Sequence, residues 1–118
     1  MSHHHRIDYI EISVSDLKRA RTFYEAAFGW SFQEYGPAYA GIQGEGREVG
    51  GLCVVEELSA QPSSAPLVIL YSDELEGSVR AVRDAGGTIT QPIYAFPGGR
   101  RFHFADTEGN QLAVWSKP

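Results

Sequence analysis

Ile7-Asp8-Tyr9-Ile10-Glu11-Ile12-Ser13-Val14-Ser15-Asp16-Leu17 is the stretch whose reading settles the fold class. Ile10, Ile12 and Val14 alternate with Tyr9, Glu11 and Ser13, a period of two that marks a strand with one apolar face. Ser15-Asp16 then offers a helix N-cap, and Leu17, Ala20, Tyr24, Ala27 and Phe28 recur at helical spacing until Gly29 stops the run. The same grammar returns half a chain later. Leu67-Val68-Ile69-Leu70-Tyr71 reads as a buried strand, and Asp73 with Glu76 reads as a capping-box start. Leu75, Val79, Val82 and Ala85 form the second helix stripe, closed by Gly86-Gly87. Asp16 to Gly29 and Asp73 to Gly86 are equal spans, so the pattern is an internal repeat.

After each helix come short strand-like runs broken by glycine and proline: 30–35, 39–43 and 49–56, then 88–95, 100–105 and 111–116. Turns are expected at Pro97-Gly98-Gly99 and Asp106-Thr107-Glu108-Gly109-Asn110. Each half therefore reads βαβββ. The prediction is an α+β fold of two modules, residues 7–57 and 67–116, joined by the linker-like Leu58 to Pro66 and making one domain over 7–118.

The 118-residue chain is long enough for one core, and its 42% hydrophobic and 21% charged content excludes disordered and collagen-like classes. No apolar run reaches a membrane span, and no signal-like stretch opens the chain, so a soluble cytoplasmic protein is expected. A net charge of −5 argues against a nucleic-acid binder and leaves small molecules as the expected partners. Cys53 is the one cysteine, which rules out an internal disulfide or a cysteine zinc cluster and fits a small apolar packing role. His3-His4-His5 reads as a tag remnant or flexible start over residues 1–6, with a metal role as the sharper alternative.

Val14-Ser15-Asp16-Leu17, Phe23-Tyr24, Phe28-Gly29-Trp30 and the turn Asp106-Thr107-Glu108-Gly109-Asn110, in this order and spacing, resemble the vicinal oxygen chelate superfamily, over Ile7 to Ser116. That superfamily includes glyoxalase I, extradiol dioxygenases, fosfomycin-modifying enzymes and bleomycin-binding proteins. The resemblance is nearest to its small glyoxalase/bleomycin-resistance-like members. It implies curved mixed sheets, with both helices on one side and a ligand cleft on the other. It also implies a homodimer whose clefts combine the first module of one chain with the second of another. The positions where metal-using members place ligands, usually two histidines and a glutamate, are here Tyr9, Leu67 and Ala113, so no metal and no other cofactor is expected.

Strand parity and the resemblance together assign a ligand face to Tyr9, Glu11, Ser13, Arg101, His103, Gln111 and Trp115, opposite the helix-facing Ile10-Ile12-Val14, Phe102-Phe104 and Leu112-Val114. Tyr39 and Tyr71 join the ligand-binding candidates, and Tyr35 and Tyr94 are rim or wall aromatics. Glu11 is a candidate general base, an ion-pair partner or an exposed carboxylate. His103 is a candidate acid–base group or ligand contact, or a solvated histidine on an open sheet. Gly98-Gly99-Arg100-Arg101 offers backbone N–H groups and a guanidinium to an anion, or is a plain hairpin turn. Two functions follow. One is a binder of a small, partly aromatic molecule in a metal-free aromatic and polar cleft. The other is a lyase, isomerase or dioxygenase-type enzyme using Glu11 and His103 or a relocated metal site.

Overall fold

The computed structural model describes residues 3–55 and 65–118. Most of the expected linker 58–66 and the last residue of the expected strand 49–56 lie outside them. The elements run β1(Ile7–Val14), α1(Leu17–Phe28), β2(Phe32–Glu34), β3(Tyr39–Gln43), β4(Glu48–Val54), then β5(Leu67–Tyr71), α2(Leu75–Asp84), β6(Thr88–Phe96), β7(Gly99–Ala105) and β8(Gln111–Ser116). Both halves are βαβββ, and the chain has the α+β fold expected of it. Among the described residues no helix is long and apolar enough to cross a membrane.

By internal contacts the chain divides into two units, residues 9–66 and residues 67–118 with the N-terminal segment through Asp8. In the first, the strand order is β2-β3-β4-β1. β1 runs parallel to β4, with Ile10 opposite Gly50 and Val14 opposite Val54, and the β3–β4 and β2–β3 pairs are antiparallel. In the second unit the order β5-β8-β7-β6 repeats the scheme: β5 is parallel to β8, and β7 pairs antiparallel with both β8 and β6.

Each unit has its own core, built from one sheet face and one helix. Val14, Ile42 and Leu52 are buried against Ile12, Leu17, Ala20, Tyr24, Trp30 and Phe32 in the first. Leu75, Phe102 and Val114 are buried against Leu70, Val79, Val82, Ile89 and Phe104 in the second. Ile12 and Val14 of β1, Phe102 and Phe104 of β7 and Val114 of β8 therefore face their cores as expected, whereas Ile10, paired with Gly50, which has no side chain to cover it, is 40% exposed.

α1 begins and ends where its capping residues dictate. Asp16 accepts the Arg19 N–H at 3.0 Å, and Gly29 closes the helix at φ 71°, a left-handed conformation that costs glycine little. α2 starts one residue later than its sequence suggests. Glu74, not Asp73, is the N-cap, accepting the Gly77 N–H at 3.0 Å. Asp73 is engaged elsewhere: its backbone N–H goes to His4 Nδ1 and its carboxylate lies 3.7 Å from the same nitrogen, while Leu75, the first helical residue, is 1% exposed. Glu76, freed from a capping box, instead forms an ion pair with Arg100 at 2.7 Å, and that pair lowers the Glu76 pKa.

The histidines of the N-terminal segment contact their own unit. His3 stacks on Tyr71 at 4.1 Å between ring centres. His4 Nδ1 accepts the Asp73 N–H at 2.8 Å, and His5 Nε2 lies 2.9 Å from Ser78 Oγ.

Candidate functional site

In the unit of residues 9–66, the sheet face away from α1 carries a network of phenols and carboxylates. Tyr9 and Glu11 come from β1, Tyr39 and Gln43 from β3, Glu48 from β4, and Tyr35 from the residue after β2. Tyr9 donates to Glu48 Oε2 at 2.6 Å and Tyr39 donates to Glu11 Oε2 at 2.9 Å, while the two phenol oxygens lie 2.9 Å apart. Tyr35 and Gln43 donate to the other oxygen of Glu48 at 2.6 and 3.3 Å. Burial raises the pKa of Tyr9 and Tyr39 above the ordinary phenol value. Hydrogen bonding to Glu48 adds to the effect for Tyr9, and the charge of Glu11 adds to it for Tyr39. Both phenols therefore hold their hydrogens at neutral pH.

Glu48 is the residue that sequence parity misses. Counting back from buried Leu52 and Gly50 puts Glu48 on the helix side of β4. However, Ile42 pairs with Gly50 while Gln43 pairs with Glu48, so Val49 is an extra, bulged residue that turns Glu48 to the face of Tyr39. Two glycines make the network possible. A Cβ on Gly41 would collide with the Glu48 carboxylate, and one on Gly51 with the Tyr39 phenol. The legible signal is the glycine pair Gly50-Gly51 next to a strand carboxylate.

In the other unit, β6 and β7 place Tyr94 opposite Arg101, and β7 and β8 place Arg101 opposite Trp115. Tyr94 Oη lies 2.8 Å from His103 Nε2 and accepts from Arg101 Nε at 2.5 Å. The Arg101 guanidinium also lies over the rings of Tyr94 and Phe96, 5.7 and 5.8 Å from their centres. Trp115 donates its indole N–H to Asp8 at 2.9 Å and meets Tyr71 edge-on and Phe96 at an angle. Tyr94, Phe96, Arg101, His103 and Trp115 are all half-buried, so they form a wall rather than a core. Phe96 and Asp8 carried no sequence signal for this place.

Of the expected ligand face, the structure gathers Tyr9, Glu11 and Tyr39 in one unit and Arg101, His103 and Trp115 in the other. Tyr71 is 5% exposed beneath His3 and Trp115. Gln111 is exposed at the start of β8, where its side chain accepts from Thr90 at 3.4 Å. Arg100 pairs with Glu76, and a Cβ on Gly99 would strike the Ser116 carbonyl, so this glycine serves strand packing.

The divalent metal of metal-using relatives does not fit the residues present. Tyr9 is a half-buried neutral phenol already donating to Glu48, Ala113 is fully buried without a donor atom, and Leu67 has none. Among the described residues no three histidine, cysteine, aspartate or glutamate side chains are placed to hold a metal ion.

Comparison with known proteins agrees with this architecture. A "Glyoxylase-like domain-containing protein" of Didymella fabae is 31% identical over 130 residues, covering 98% of this chain and 96% of the relative. The crystal structure of methylmalonyl-CoA epimerase from Mycobacterium tuberculosis superposes with a TM-score of 0.75 at 15% identity, covering 95% of this chain and 87% of that one. A Mn(II)-bound glyoxalase from Novosphingobium aromaticivorans gives 0.70 at 21% identity, covering 98% of this chain and 40% of that one. At such identities the two structures speak for the fold alone. With the family model matching residues 6–114, this chain belongs to the Glyoxalase/Bleomycin resistance protein/Dioxygenase superfamily.

Proposed function

We propose that the protein binds a small, partly aromatic organic molecule without a divalent metal at the family position. The observation that carries this reading is the wall of Tyr94, Phe96, Arg101, His103 and Trp115. There a guanidinium is held over two rings and beside an indole, on the sheet face away from the Phe102–Val114 core. Aromatic area supplies most of the affinity at such a surface, and a guanidinium selects a ligand with a carboxylate or other acceptor. The test is titration of isotope-labelled protein with benzoate and with larger fused-ring carboxylates, followed at the backbone amides of β7 and β8. The expected result is a saturable shift, with Trp115→Ala weakening binding more than His103→Ala. Signals that stay unchanged through the whole series would overturn the reading.

A second reading, an acid–base enzyme using Glu11 and His103, is favoured by one observation. The Tyr94 phenol sits between an imidazole nitrogen and a guanidinium N–H, an arrangement suited to moving a proton along Tyr94 and His103. Under that reading His103→Ala lowers turnover by about 10²–10⁴-fold, more than Trp115→Ala does. The proposal also includes a homodimer, the commonest closed assembly, which sedimentation at micromolar concentration tests.

A further inference from the structure

We propose that the exposed face of α1 around Phe23 and Phe28 is an interface between two copies of this chain, with the two α1 helices packed antiparallel about Phe23. The internal repeat supplies the control. α1 and α2 hold the same place in the two βαβββ halves, and both carry apolar residues at helical spacing. α2 buries Leu75 and Ser78, whereas α1 buries no residue completely. Phe23 and Phe28 are 58% and 65% exposed, and Ala26 and Ala27 between them are exposed as well. The two phenyl rings meet edge-on with centres 6.3 Å apart, and both contact the half-buried Tyr24, which stacks on Trp30, so the four rings form one patch. The sheet does not complete its cover. α1 starts three residues after β1 ends and packs back over the same sheet, so its last turn lies toward the starts of β1 and β4, where Ile10 is exposed beside Gly50. A contiguous exposed aromatic patch of this kind marks an interaction surface.

The charges of α1 select a second copy as the occupant. After the N-cap Asp16, the first turn carries Lys18 and Arg19 and no acidic residue, and the last turn carries no basic one. Both features oppose the helix dipole, which favours anions at the start and cations at the end. In an antiparallel pair the same charges become favourable, because the cationic first turn of one helix lies beside the carbonyl end of the other. The spacing of side chains fits a two-fold axis at Phe23. Arg19, Phe23 and Ala27 are four residues apart and share one stripe of the helix. Turned over on itself, that stripe sets Phe23 against the partner's Phe23. Each Arg19, whose guanidinium donates to exposed Ser15 at 3.2 Å, then lies over the partner's Ala27, small enough to let the helices approach. Arg21 and Glu25 take no part, since they pair with each other at 3.4 Å on the flank where Arg21 also meets Glu34 and Phe32.

This interface rests on the homodimer proposed above and names its face; it needs neither the aromatic wall nor a ligand. Its test is sedimentation of the full-length protein at micromolar concentration, combined with oxidative cross-linking. The expected result is a dimer that Phe23→Ser with Phe28→Ser converts to a monomer of unchanged circular dichroism. In a Cys53→Ser background, Phe23→Cys is expected to give a covalent dimer on oxidation, because a two-fold axis there brings the two thiols within disulfide reach. Arg83→Cys, exposed on α2, is the control and is expected to give none. The cross-link keeps the test decisive if the double serine variant fails to fold. A monomeric unmodified protein would overturn both this face and the homodimer. A dimer that persists in the serine variant, or that does not cross-link through Phe23→Cys, would overturn this face alone and leave the homodimer standing. A monomer that binds phosphatidylserine vesicles, and loses that binding in the serine variant, would give the patch to a membrane and likewise overturn the proposal.

Discussion

Gly51 lacks a side chain because the Tyr39 phenol lies where one would go. Gly51→Ala therefore forces the ring off its position, and a cost of about 1–3 kcal/mol is expected from overpacking, read by urea denaturation. Removing the ring first, in Tyr39→Ala, should remove most of that penalty, so the double variant should be more stable than the sum of the single ones. Asp106 supplies a pH-dependent counterpart. Its carboxylate accepts from the Asn110 side chain and from the backbone N–H groups of Asn110 and Glu108 at 2.8–2.9 Å, and these bonds lower its pKa below the ordinary 3.8. A folded pKa below the unfolded one means the turn stabilises the protein above the unfolded pKa and loses that contribution as pH falls through the folded one. Asp106→Asn is expected to flatten the acid limb of a stability–pH curve below about pH 4. An acid limb identical to that of the unmodified protein would show that the turn contributes nothing there.

At the scale of elements, the helix starts are the most exposed to a simple test. Asp16→Ala should cost about 1 kcal/mol through the lost bond to the Arg19 N–H. For α2 the structure and the naive sequence pattern disagree, and paired variants separate them. Glu74→Ala removes the N-cap bond to the Gly77 N–H, so it should destabilise α2 more than Asp73→Ala, whose carboxylate is not the cap of α2. The reverse order in thermal or urea unfolding would restore Asp73 as the cap. In β4, the bulge at Val49 is the element-level feature that matters for the site, since one extra residue carries Glu48 to the opposite sheet face.

At the scale of the whole molecule, one scheme of strand order serves twice: 2-3-4-1 in one unit and 6-7-8-5 in the other. The repetition lets each unit bury its own helix against its own sheet while leaving the opposite face to polar and aromatic side chains. If the family metal position is unused, as proposed, the melting temperature should not change in a chelator, because a bound ion would add folding free energy. A chelator-dependent fall, measured on protein without added histidines, would instead point to a metal centre that Tyr9, Leu67 and Ala113 cannot form.

Periodicity and capping chemistry are local, and they sufficed for the βαβββ repeat, the ends of α1, the bounds of β3, β5 and β8, and the face on which Tyr9, Glu11, Arg101, His103 and Trp115 stand. The start of α2 needed tertiary structure, since Asp73 is engaged by His4 from the far N-terminal segment and Glu74 takes the cap. Glu48 needed it too, because a bulge reverses parity without any change in hydrophobic pattern. The partners of each side chain were beyond the sequence for the same reason. That Tyr9 meets Tyr39 and Glu48, that Tyr94 meets His103, and that Glu76 meets Arg100 depends on strand register and helix docking, which only the folded chain defines.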